Sequence, residues 1–415
     1  MSDLERPELR LGFIPLNCCA PLAVAREKGF FAEEGLGVAL SREASWANVR
    51  DKVAVGVLDG AHMLAPLPLA MTLGAGSEPT PVIAPLSLNL NGSAITVAAA
   101  HAEAMRELDP EGMAARPRTA RPLARLIERR RSRGEPMLVL AVVFPFSMHN
   151  YELRYWLAEG GVDPDRHVRI VVVPPPRLPA RLKSGEIDGF CVTAPWNAVA
   201  VEEGSAEILI YASEFWRLGP DKVFGVTESW AERHPRTLRA VLRALLRSAI
   251  WADEPSNRAE VAAILARPDY VDAPEALVRQ SLVGSPPYLK NGRGSQSQDY
   301  LVFHRYAASY PWRSHALWFL SQMLRWGQIP SDTDLNAVAA RVYRPEPFRD
   351  AASDLGVAAP IVDEKVEGAH AQPWLLEEAT QPIGMGPDVF FDGRPFDAAQ
   401  ARAYAAGFEI GRVRG

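Results

Sequence analysis

A tryptophan in a turn, a lysine ahead of an apolar strand, a histidine at a helix start and two adjacent cysteines are the residues of this chain whose chemistry stands out. Trp46 follows Ser41-Arg-Glu-Ala-Ser45, a turn expected to present the indole to solvent, and leads into a short amphipathic segment. Its N–H is a hydrogen-bond donor with no acceptor function. Lys222 precedes Val223-Phe-Gly-Val226; it is either a solvated surface lysine or, in a cleft, a compact positive charge. His149, in Ser147-Met-His-Asn-Tyr-Glu152, is a cap, a surface residue or a donor facing a cleft. Asn91-Gly92 is equally a hairpin turn or a pair presenting amide donors to a ligand. Cys18 and Cys19 stand just before Ala20-Pro21, at a helix start whose open N–H groups suit an anion. A thiolate there could be a nucleophile, but no sequence feature supplies its base.

Other chemistries find no support. Cys18, Cys19 and Cys191 form no CxxC pair and the histidines are scattered, so zinc spacing is missing. There is no Walker or GxGxxG loop and no Gly-x-Ser-x-Gly elbow. Donors and one cation without a nucleophile and base point to a binder and not an enzyme, and no cofactor or metal is expected.

The elements that must position these residues repeat. Gly56-Val-Leu-Asp59-Gly60 follows a short helical stretch and opens a strand, and Gly185-Glu-Ile-Asp188-Gly189 does the same later in the chain. Each copy is preceded by a longer helix and an apolar β run, residues 9–40 in the first and 138–173 in the second. Strands alternating with helices in a unit repeated at domain scale predict two similar α/β lobes, and the cleft between such lobes is where small ligands sit. The expected division is 1–98 for the first part of lobe 1, 99–136 as a connecting segment and 137–222 as lobe 2. Residues 223–328 then return to lobe 1, and 329–415 form an extension that wraps the body.

With 415 residues, 48% hydrophobic and 23% charged, the chain has the composition of a globular protein of two or three domains. A net charge of -5 gives no electrostatic case for direct nucleic-acid or membrane binding. Arginines cluster in 116–133, where Leu123, Leu126 and Ile127 supply an apolar stripe, the pattern of a solvated helix face more than of a docking patch. The N-terminus is charged from its third residue and holds no apolar run of signal-peptide length, so with Met1 as the start a cytoplasmic protein is expected.

At Leu11-Gly-Phe-Ile-Pro-Leu16, Ala25-Arg-Glu-Lys-Gly-Phe-Phe31, Arg42 to Lys52, His149-Asn-Tyr-Glu-Leu-Arg-Tyr-Trp156, Val173-Pro-Pro-Pro176, Ser314-His-Ala-Leu-Trp-Phe-Leu320 and Phe390-Phe-Asp-Gly393 the chain resembles the nitrate-binding (NrtA/CmpA-like) solute receptors. Within them it is similar to the leaderless NasS branch of cytoplasmic nitrate/nitrite sensors. The resemblance implies a type II periplasmic-binding-protein fold with the anion between the lobes. Carried over by position, it makes Trp46 the ligand-facing indole, Lys222 the cation and Thr193-Ala194 a ligand loop. Asn91-Gly92 stands where the nitrate receptors resemble Gln-Gly, and Val142 where they carry a histidine, for which His149 is the expected substitute. The implied function is a nitrate/nitrite sensor that controls an RNA-binding, NasT-like antiterminator of nitrate assimilation genes; the alternative is the substrate-binding protein of a nitrate ABC transporter.

Overall fold

The structure, a computed structural model, describes residues 4–294 and 298–412; residues 1–3, part of the segment behind the cytoplasmic expectation, lie outside them. Two sheets organise the chain. The first holds β1 (Glu8–Phe13), β2 (Gly37–Arg42), β3 (Gly60–Leu64) and β4 (Val82–Asn91). The second holds β5 (Ser93–Ala98), β6 (Val139–Val142), β7 (Arg169–Val172), β8 (Gly189–Thr193) and β9 (Ala206–Tyr211). Two further strands, β10 (Pro220–Thr227) and the short β11 (Leu301–Val302), return to the first sheet.

The strand orders are β11-β4-β10-β3-β1-β2 and β7-β6-β8-β5-β9. In each sheet three parallel strands are followed by one antiparallel strand that has just crossed from the other lobe: β10 lies against β3, and β5 lies against β8. The two-lobed α/β architecture expected from the repeat is therefore the observed one.

The repeated Gly-x-[Leu/Ile]-Asp-Gly segment has a structural role that is the same in both lobes. Asp59 clamps the start of β3 to β1: its backbone N–H donates to Arg10 O at 2.9 Å and its carboxylate accepts from Arg10 N–H at 2.8 Å. Asp188 does this to Val139 of β6, at 2.7 Å in both directions. The glycine that follows each aspartate admits the crossing strand. A Cβ at Gly60 would meet Val226 Cγ1 at 2.8 Å, and one at Gly189 would meet the backbone oxygen of Thr96 at 2.8 Å.

The chain changes sheets at Gly92, inside the segment read from sequence as lobe 1. Residues 99–136 form helices, Ala99–Leu108, Pro110–Ala114 and Arg121–Ser132, of which Ala99–Leu108 packs on β5 and β9. They belong to the second lobe and do not bridge the two. Their arginines are held by nearby acids: Arg121 and Arg125 lie 2.7 and 3.6 Å from Asp109, and Arg130 lies 2.9 Å from Glu135. The helix Arg313–Arg325 packs Trp318 against Trp216, Tyr155 and Phe390. The C-terminal residues touch both lobes, Asp354 pairing with Arg239 and Asp392 accepting from Tyr155 Oη at 2.7 Å. Among the described residues no helix is long and apolar enough to cross a membrane.

Candidate functional site

Lys222 lies on β10, opposite Leu64 of β3 and Asn89 of β4, while Phe224 lies opposite His62. Alternate residues of a strand share a face, so His62 and Lys222 are diagonal neighbours on one side of the sheet. The register against β4 shifts between Pro220 and Lys222. That bulge lets consecutive side chains meet, and the Asp221 carboxylate contacts the Lys222 ammonium. Both are fully buried. Burial alone would raise the Asp221 pKa, but the adjacent ammonium outweighs it and holds the carboxyl below its ordinary value.

Trp46 opens the helix Trp46–Ala54, whose cap Ser45 accepts from the Asn48 N–H at 3.2 Å. The expectation of a solvent-facing indole fails: Trp46 is 1% exposed, because it lies on the inward face of its helix with Val49 and Val53. Its ring centroid is 5.7 Å from Lys222 Nζ and 5.4 Å from the His62 ring.

The second lobe contributes His149, near the start of the helix Met148–Glu159, and Thr193, the last residue of β8. His149 Nε2 is 2.7 Å from Thr193 Oγ1, which donates to Asp221 Oδ2 at 2.9 Å and accepts from Lys222 Nζ at 3.1 Å. A hydroxyl has one proton, and here the carboxylate takes it, so His149 must donate to Thr193 through Nε2–H. Burial and then the Lys222 charge push the His149 pKa down to about 3, leaving the imidazole neutral. The ligand donor expected of His149 is thus committed to Thr193, and its Nδ1 remains as an acceptor.

Asn91, Gly92 and Ala194 belong to the crossing between lobes. Asn91 (φ 60°) accepts from Gly219 N–H at 3.1 Å through its side-chain oxygen and donates to Asp299 O at 2.8 Å. It is neither a hairpin turn, since β4 and β5 lie in different sheets, nor an amide open to the cleft. Its side chain lines a separate cavity of about 520 Å³ behind the crossing strands. Gly92 O accepts from Ala194 N–H at 2.9 Å, and Ala194 O accepts from Asn17 N–H at 2.9 Å. With Trp196 Nε1–H donating to Pro15 O at 3.0 Å, these bonds hold the lobes in contact over the site.

Three residues not singled out in sequence, Asp221, Asn89 and His62, complete the cluster with Cys18, which the sequence offered as a thiolate and whose thiol burial keeps protonated. Asn89 Nδ2 donates to Asn91 O at 3.0 Å and Asp221 Oδ2 at 3.2 Å. Cys18 Sγ is 3.3 Å from His62 Nε2. Alternation along β3 and β4 could have paired His62 and Asn89 with Lys222, had the strand order been known. Behind Thr193, Glu152 Oε2 accepts from Ser93 Oγ at 2.6 Å, and burial pushes its pKa up to about 8.

Around the lysine, Trp46 Nε1, His62 Nδ1, His149 Nδ1 and Asn89 Oδ1 are buried with no hydrogen-bond partner among the described residues. Each such group left unpaired costs roughly 1–3 kcal/mol. Several of them around one cation describe a site completed by a small polar ligand.

Two α/β lobes with this strand order, closed over a buried polar cluster, define the periplasmic-binding-protein-like class. The chain belongs to the NMT1-like family, whose model matches residues 2–266. It is 32% identical to the nitrate/nitrite binding protein NrtA of Nostoc over 99% of this chain and 87% of that protein. It is 36% identical to the nitrate import ATP-binding protein NrtC of Synechocystis over 86% of this chain, but spans only 51% of NrtC. The crystal structure of the periplasmic nitrate-binding protein NrtA from Synechocystis superposes with a TM-score of 0.86 at 29% identity, covering 98% of this chain and all of that one.

Proposed function

We propose that this protein is a nitrate/nitrite-binding protein, not an enzyme, that holds the anion in the interlobe cleft. One observation carries the reading: the sealed Lys222 ammonium with the unpartnered Trp46 Nε1–H beside it. A flat, singly charged anion accepts at its oxygens, and one cation with neutral N–H donors can hold it without a metal. The likeness to NrtA supports the same ligand. Calorimetry with nitrate, nitrite and bicarbonate tests it. Nitrate or nitrite binding lost in Trp46→Phe and Lys222→Met is expected; binding indifferent to both substitutions refutes the site. Bicarbonate is the informative control, because its O–H needs an acceptor and His149 Nδ1 is one.

The cellular role we propose is that of a NasS-like cytoplasmic sensor which restrains a NasT-like RNA-binding antiterminator and releases it when the anion closes the cleft. This rests on the motif resemblance described above. If the anion favours the closed form and the partner the open one, each weakens the other's binding by the same factor. Co-elution with such an antiterminator, reversed by nitrate, is the expected result. The likeness to NrtA and NrtC supports the alternative, the substrate-binding component of a nitrate ABC transporter, which predicts instead a complex with a membrane permease.

A further inference from the structure

Cys18 and His62 are both inaccessible to solvent, and the sulfur lies 3.3 Å from Nε2. The imidazole tilts against the Trp46 ring and lies diagonally from Lys222 on the same sheet face. Its Nδ1 is sealed with no partner among the described residues, as is the Trp46 Nε1. Two contacting rings therefore each present one unfilled nitrogen beside the only lysine of the cluster.

A neutral imidazole carries one proton, and the two placements are unequal. With the proton on Nε2, an N–H is aimed at sulfur, a weak acceptor, and the better acceptor, the imidazole lone pair, is spent on no donor. With the proton on Nδ1, the thiol donates to a good acceptor and the Nδ1–H, unpartnered among the described residues, is left for a ligand oxygen. The thiol is suited to that role, since burial keeps it protonated.

We infer that Cys18 is a positioning residue that fixes His62 as its Nδ1–H tautomer, and that His62 is a further donor to the bound anion. The inference rests on the anion-binding reading of the cleft for its ligand, but not for its tautomer. It also gives the buried thiol a task other than nucleophilic attack.

The test combines imidazole 15N NMR of the full chain with nitrate calorimetry, the His62 signal being assigned by its loss in His62→Gln. The wild type is expected to show Nδ1–H at His62, with both the nitrogen and its proton shifting on addition of nitrate. Cys18→Ser, whose hydroxyl can still donate, is expected to keep the tautomer and bind within about threefold of the wild type. Cys18→Ala is expected to lose the tautomer and weaken binding about 5- to 10-fold, the worth of one neutral hydrogen bond. His62→Gln should lose a similar factor, and the double variant no more than the worse single one. An Nε2–H tautomer in the wild type, or additive losses in the double variant, overturns the inference. Absence of anion binding by the wild type would instead defeat the functional reading and, with it, His62's role as a ligand donor, while the spectrum still decides the cysteine–histidine pair.

Discussion

Thr193 Oγ1, at the end of a strand in one lobe, lies 3.1 Å from the Lys222 ammonium of the other and donates its hydrogen bond to Asp221. One hydroxyl thus joins the lobes at the floor of the cleft. Thr193→Val keeps the shape and removes all three bonds of the hydroxyl, the one from His149 included. We expect an anion affinity lower by about tenfold, as for loss of a charge-assisted hydrogen bond. Small-angle scattering of the ligand-free variant should show a more open molecule. Unchanged scattering and affinity would contradict a latch at this position.

Lys222 and Asp221 form a buried pair, so removing one partner leaves an uncompensated charge. Lys222→Met is expected to lose anion binding and about 3–5 kcal/mol of stability. Adding Asp221→Asn should return most of the stability and none of the binding. Denaturant unfolding and calorimetry on the two variants separate these effects.

Glu152 is neutral in the folded state at pH 7, since burial raises its pKa from 4.5 to about 8. A carboxyl raised on folding contributes stability that is complete below pH 4.5 and is lost as the pH rises through 8. Glu152→Gln, already neutral, should therefore flatten the fall in melting temperature across that window. A variant whose melting temperature declines as steeply as the wild type's would count against a buried neutral acid here.

The paired glycines predict unequal damage. At Gly189 the added methyl meets a backbone oxygen, which cannot move without breaking the pairing of β5 with β8. At Gly60 it first meets side chains, Val226 and Phe224, which can shift. Gly189→Ala should cost about 2–3 kcal/mol and Gly60→Ala about 1, within the range for overpacking. Equal losses in denaturant melts would show that the strand at Gly60 is held as rigidly as the one at Gly189.

Much of the fold was legible because its signals are local and occur twice. Gly56 to Gly60 and Gly185 to Gly189 encode the same helix, turn and strand, and the aspartate in each makes the same backbone clamp. The lobe boundary was not legible. Asn91-Gly92 satisfies a hairpin rule, and only the pairing of β5 with β8 reveals that the chain has left one sheet for the other. Trp46 resembled a surface residue because its neighbours are polar, and burial depends on what the turn packs against.

By itself the sequence determined that there are two α/β lobes, that Trp46 and His149 stand at helix starts and that Lys222 stands near the start of a strand, since periodicity and turn chemistry act over a few residues. Tertiary structure alone decided which polar atoms are satisfied. The proton count at Thr193 commits the His149 N–H to that hydroxyl and leaves only an acceptor for a ligand, the bulge at Asp221 puts a carboxylate against the lysine, and strand order brings Cys18 and His62 together. Hydrogen bonding at a buried site is a property of neighbours far apart in the chain, and no local pattern carries it.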